Sequence, residues 1–244
     1  MRRHKDAIAV AGIWLVLTAL IEILVLRVSM LPAEYAREAG VVDDAYRLLL
    51  VLAAPVFAFT VTMLAYSVVR FRVRERPVED GPPLRGSRRT VAVWLLVTGL
   101  LAVYVVINPG FVGLAAIRGE PSADVVIQVT GARWFWTVTY PNGKRSTEEL
   151  VVPVDTRIRF DVTAPEGDVL HSFWIPAFRV KIDALPGRVT QAYVTPERLG
   201  DFATDDTVRI QCAELCGVGH AAMRLPVRVV PREEFDAYIA ALGG

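Results

Sequence analysis

The chain holds few of the residues from which disulfide frameworks and metal sites are made: two cysteines, three histidines and four methionines among 244 residues. Two cysteines cannot build a disulfide-dense scaffold, and the absence of a C-x-x-C-H excludes a covalently attached c-type haem. Net charge is equally scarce, +1 from 27 Lys plus Arg against 26 Asp plus Glu, so there is no electrostatic case for a nucleic-acid binder. Charged residues make up only 22% and hydrophobic residues 53%, which excludes intrinsic disorder. No internal repeat or low-complexity tract is present. The apolar surplus exceeds what one soluble domain needs and points to a membrane-anchored protein.

That surplus lies in three runs, 7–26, 48–69 and 91–107, the last continuing weakly past Asn108-Pro109-Gly110 to Ile117. Each approaches the roughly 20 residues that a helix needs to cross about 30 Å of hydrocarbon. Glu22 falls near the end of the first run, where a carboxylate costs less than at mid-membrane, and reads as interfacial or helix-packed. With Arg2, Arg3 and Lys5 before it, the first run has the layout of a signal peptide, but it exceeds the usual h-region of roughly 7–15 residues and no A-x-A site follows. Retention is expected.

Residues 70–90 carry Arg70, Arg72, Arg74, Arg76, Arg85, Arg88 and Arg89, whereas residues 27–47 carry only Arg27, Arg37 and Arg47. The positive-inside rule then puts the N-terminus and the arginine loop in the cytoplasm and residues 118–244 outside the cell membrane. The division expected is a membrane anchor over 1–117 and an outer domain over 118–244.

In the outer part the periodicity shortens to alternating stretches at 125–130, 134–140, 157–163, 190–194, 207–211 and 225–230, separated by turn sequences such as Pro141-Asn142-Gly143 and Leu185-Pro186-Gly187. Such spacing predicts an all-β sandwich or barrel. Residues 231–242, with Phe235, Tyr238, Ile239 and Leu242 at helical spacing after Pro231, predict a short amphipathic helix.

One stretch gathers the scarce residues: Cys212, Glu214, Cys216, His220 and Met223, with Gly217 and Gly219 between them. Both cysteines are here, Met223 is the only methionine after residue 63, and the one other histidine beyond His4 is His171. On a straight helix these side chains would spread over about 16 Å of axis, too far for one metal. The glycines suit a tight loop that folds the ligands around a centre. Thiolate, imidazole and thioether are a soft set that suits copper better than zinc. His171, Cys216, His220 and Met223 alone would make a blue-copper site, leaving Cys212 surplus. Two thiolates fit two coppers bridged by both sulfurs better than one crowded ion. A Cys212–Cys216 disulfide would leave His220 and Met223 unexplained.

The pattern C-x-E-x-C-x-x-x-H-x-x-M at 212–223 resembles that of subunit II of the haem-copper cytochrome c oxidases. Asp168–Pro176 is similar to the segment that supplies its first histidine, Asp183–Gly187 to its D-A-x-P-G, and Gly131–Trp136 to its aromatic G-x-x-W-x-W. The resemblance implies a cupredoxin-like Greek-key barrel holding a binuclear CuA centre outside the membrane. Cys212 and Cys216 would be the bridging thiolates, His171 and His220 the imidazoles, Met223 the thioether on one copper and the Glu214 carbonyl a ligand to the other. The Glu214 carboxylate would face a magnesium site shared with subunit I, and Trp134 would admit electrons from a docked cytochrome c or small copper protein.

Three departures from the family stand out: an extra N-terminal helix, 40 residues between His171 and Cys212 with 201–207 resembling an insertion, and Val91 where a proton-channel carboxylate is common. The expected role is electron input to a terminal oxidase, with oxygen reduction in subunit I. The alternatives are the CuA subunit of a nitric oxide reductase and a membrane-tethered copper storage or delivery module. Trp134-Phe135-Trp136 and Glu214 argue against the last, since a carrier needs neither.

Overall fold

The computed structural model describes residues 2–72, 86–119 and 122–243. Arg74, Arg76 and Arg85 of the arginine-rich loop lie outside the described residues.

The apolar runs form three helices, α1 (Arg2–Arg27), α2 (Arg37–Arg70) and α3 (Arg88–Val105), each part of a segment long and apolar enough to cross a bilayer. Ser87 caps α3 by accepting the Thr90 amide. At its far end Pro109 has no amide to donate and Asn108, immediately before it, leaves helical geometry at φ −134°. The chain therefore passes through a wide turn at Val106–Phe111 before resuming as α4 (Val112–Arg118). The N-terminal helix is joined to α2 by polar contacts. The Trp14 indole donates to the Pro55 carbonyl at 2.8 Å, and Asp6 accepts the Tyr66 hydroxyl at 2.7 Å and Arg70 Nε at 3.2 Å.

Contacts divide the chain into two units, residues 1–30 with 44–112 and residues 31–43 with 113–244. The first turns of α2 thus belong to the β unit, which explains why the helix begins well before Leu48. Glu38 accepts the Thr195 amide at 2.8 Å and pairs with Arg157 at 3.4 Å. Asp43 receives both Nε and an Nη of Arg179 at 2.8 Å, a bidentate pair sealed from water.

Among the described residues the β unit contains eleven strands: β1 (Val125–Ala132), β2 (Phe135–Thr139), β3 (Arg145–Ser146), β4 (Leu150–Pro153), β5 (Ile158–Thr163), β6 (His171–Ile175), β7 (Val180–Ala184), β8 (Thr190–Val194), β9 (Gly200–Asp201), β10 (Arg209–Cys212) and β11 (Arg224–Val230). They form two mixed sheets, one ordered β3-β2-β1-β5-β8 and the other β4-β11-β10-β6-β7 with β9 added along β11. The β1–β5 and β4–β11 pairs are parallel. Alternation along β1 and β5 turns Val125, Ile127, Val129, Ile158, Phe160 and Val162 inward, where Trp136, Phe173 and Phe178 complete the core. The expected closed Greek-key barrel is corrected to two open sheets: among the described residues no ladder joins β7 to β8 or β3 to β4. Residues 201–207 begin on the edge strand β9, paired with Val229 and Arg228, and end in a turn where Asp205 binds Thr207. The tail forms α5 (Arg232–Ala241), with Phe235 buried against Tyr140.

Candidate metal centre

Backbone pairing brings the soft side chains together. Strand β10 lies between β6 and β11, so Cys212, turned inward like Ile210, stands beside His171 at the start of β6. The chain then leaves the sheet, and the Ala213 amide donates to Ser172 O at 3.0 Å. Gly217 takes φ +114°, a conformation that side chains resist. A short 3-10 turn, His220–Ala222, follows, and the chain returns to β11 with Met223 O accepting the Cys212 amide at 3.0 Å. This is the inter-strand loop that the glycines predict.

The two sulfurs lie 3.7 Å apart and unbridged, well beyond the roughly 2.05 Å of a disulfide. Around them stand the other expected donors. His171 Nδ1 is 3.8 Å from Cys212 Sγ, and the Glu214 carbonyl is 3.3 Å from the same sulfur. His220 Nδ1 and Met223 Sδ are 3.6 Å and 3.9 Å from Cys216 Sγ. Cys212, Cys216, His171 and Met223 are buried, while the Glu214 side chain is exposed.

The chemistry of this pocket fits a soft metal. Ligand atoms of His171, Cys212 and Cys216 all lie within 4.8 Å of one another, and the gap between sulfurs can be spanned by two metal–sulfur bonds of about 2.3 Å. Burial holds the His171 imidazole below its ordinary pKa against the opposing pull of Asp168, so the ring is neutral and able to ligate. Burial, with Cys212 alongside, pushes the Cys216 thiol up to about 11, so its proton must leave when a metal enters.

Trp134 sits over the loop, about two-fifths exposed, with its indole N–H donating to Cys216 O at 3.0 Å. A Cβ added at Gly219 would meet the ring at 2.5 Å and one at Gly217 at 3.2 Å, so both glycines make room for the indole. Trp136, two residues on, is wholly buried, edge-on to His171 and Phe173.

Asp168 escaped the sequence reading as a site residue. Its carboxylate accepts the Val169 amide at 2.7 Å, the Arg133 amide at 3.1 Å and Arg133 Nε at 2.7 Å, and lies 3.9 Å from His171 Nε2. Burial alone would raise its pKa, but these bonds outweigh it and hold the carboxyl below its usual range. Its position three residues before a candidate ligand was the available signal.

Helices long and apolar enough to cross a membrane, followed by a two-sheet β domain whose clustered Cys and His side chains could coordinate a metal, define the class of protein. A family model described as cytochrome c oxidase subunit II, periplasmic domain, matches residues 144–230. The chain is 29% identical over 220 residues to a probable cytochrome c oxidase subunit 2 of Rickettsia conorii, covering 80% of this chain and 66% of that one. It thus spans about two thirds of that relative's length. To the Cereibacter sphaeroides subunit 2 it is 29% identical over 240 residues, covering 80% of this chain and 74% of that one. A solved periplasmic domain of subunit II from Bradyrhizobium japonicum is 36% identical, covers 50% of this chain and 95% of that one, and superposes with a TM-score of 0.45. The chain is a homologue of cytochrome c oxidase subunit II.

Proposed function

We propose that this chain is the electron-input subunit of a haem-copper terminal oxidase, taking electrons from a cytochrome c or a small copper protein and passing them to haem in subunit I, where oxygen is reduced. The observation that carries the reading is the placement of His171, Glu214 O, His220 and Met223 around two sulfurs 3.7 Å apart. His171, Cys212, Glu214 through its carbonyl, Cys216, His220 and Met223 would hold two copper ions. Bound there, the pair supplies a one-electron couple. The protein's own contribution is to bury the sulfurs, fix the imidazoles and keep water away. Trp134 provides the aromatic path from the surface to the Cys216 carbonyl. The exposed Glu214 carboxylate is free to face a magnesium ion shared with subunit I.

The test is copper stoichiometry with electron paramagnetic resonance of the oxidised chain. Two coppers per chain sharing one unpaired electron give seven hyperfine lines, because two equivalent nuclei of spin 3/2 couple to it. A four-line spectrum with one copper per chain would reject the binuclear reading and favour a blue-copper site.

We further propose that residues 118–244 lie on the outer face and the N-terminus and arginine loop in the cytoplasm, in line with the arginine asymmetry between the loops. Protease added to intact spheroplasts is expected to digest the copper domain and spare residues 70–90; the reverse pattern would invert the topology.

A further inference from the structure

Beneath the β unit's first helical turns lies a recess of about 240 Å³ that the electron-input reading does not use. Its walls are Val42 of α2, Ile117 of α4, and Val180 and Ile182 of β7. Four charged groups also line it: Glu38, Arg118, Arg179 and Lys181. Glu38 is committed to Arg157 and Thr195, and Arg179 to Asp43. Arg118 and Lys181 have no carboxylate partner among the described residues, and both are exposed at the rim. The recess therefore offers two uncompensated positive charges at the mouth of an apolar wall.

Its place in the chain says what meets those charges. Arg118 is the last residue of one apolar segment of membrane-spanning length, Arg88–Arg118, and Val42 lies in another, Arg37–Arg70. Cations at the ends of such helices sit at the level of lipid headgroups. The volume is smaller than the roughly 300–1,000 Å³ of pockets that engulf a whole small molecule. It suits part of a ligand whose remainder stays in the bilayer. We propose that the recess binds one anionic phospholipid, its phosphate between Arg118 and Lys181 and the start of one acyl chain along Val42, Ile117, Val180 and Ile182.

The full chain, purified in mild detergent, is mixed with phosphatidylglycerol or phosphatidylcholine at equal concentration and weighed by native mass spectrometry. One phosphatidylglycerol per chain is expected, at least tenfold more abundant than the phosphatidylcholine adduct. The Arg118→Gln/Lys181→Gln variant is expected to lose that adduct at least tenfold, Lys181→Gln alone to lose part of it, and Arg145→Gln, an exposed arginine on β3, to keep it. Equal binding of the two lipids, an undiminished adduct in the double variant, or inorganic phosphate binding as well as the lipid would each overturn the proposal. In the assembled complex, wild type is expected to retain phosphatidylglycerol through purification; a cross-link from Lys181 to another subunit in its place would overturn it too. Copper content measured on the same samples keeps this result separate from the electron-input reading, since the recess contains none of the metal donors.

Discussion

Trp134→Ala is expected to slow reduction of the copper-loaded chain by its soluble donor by orders of magnitude while leaving copper content and optical spectrum intact. The indole is the large aromatic group that reaches from the exposed surface to the backbone of a candidate thiolate ligand, through its bond to Cys216 O. Truncation would leave that gap to water or void. Because the ring also covers Gly217 and Gly219, the variant has a second way to act, by loosening the loop. Trp134→Phe separates the two: it keeps a ring over the glycines and loses only the N–H bond, so most of the rate should survive. A buried Trp→Ala change costs about 3–5 kcal/mol, and the partial exposure of Trp134 lowers that figure. An unchanged rate in Trp134→Ala with both coppers retained would remove the indole from the electron path. Loss of copper together with thermal stability would make it a structural clamp instead.

The largest effect on stability is expected at Asp43. Its bidentate pair with Arg179 is almost fully buried, with side-chain exposures of 2% and 9%. Asp43→Ala removes one charge and leaves the other without its counter-ion, which typically costs about 3–5 kcal/mol. Arg179 keeps its bonds to Pro32 O and Pro176 O at 2.7 Å, but neutral carbonyls do not replace a carboxylate. For a chain of this size that loss corresponds to a drop in Tm of roughly 6–20 °C, readable as thermal loss of the β-domain circular dichroism. Asp43→Leu combined with Arg179→Met should recover most of it, because an apolar pair of similar volume avoids the desolvation cost altogether. A single variant that melts with the wild type would show that the pair adds nothing to stability.

What could be read from the sequence depended on whether a residue's role was written locally. Strands β1, β5, β8 and β11 alternate buried positions with half-buried or exposed ones over most of their length and were legible as strands. Strand β4 is buried at every position and β6 at all but one, so neither shows the period of two that marks a half-exposed strand. The candidate metal loop was legible because scarce side chains are concentrated in twelve consecutive residues. His171 comes from a distant strand and stood out only because the chain has so few histidines. The Glu214 carbonyl, 3.3 Å from Cys212 Sγ, is a main-chain group with no side-chain signature, and only the family resemblance pointed to it. The early start of α2 was hidden because the partners of Glu38 and Asp43 lie 119 to 157 positions away.

That separation sets an order of events during biogenesis. A ribosome releases Glu38 and Asp43 long before Arg157, Arg179 and Thr195 exist. In the proposed topology the outer turns of α2 therefore wait in water, their carboxylates hydrated, until the β strands have been exported and folded. The carboxylates also keep those turns from sliding into hydrocarbon in the interim, since burying an unpaired charge there is costly. The first turns of α2 are thus clasped last, by the β unit to which they belong, and a chain stalled in export would leave them unclasped.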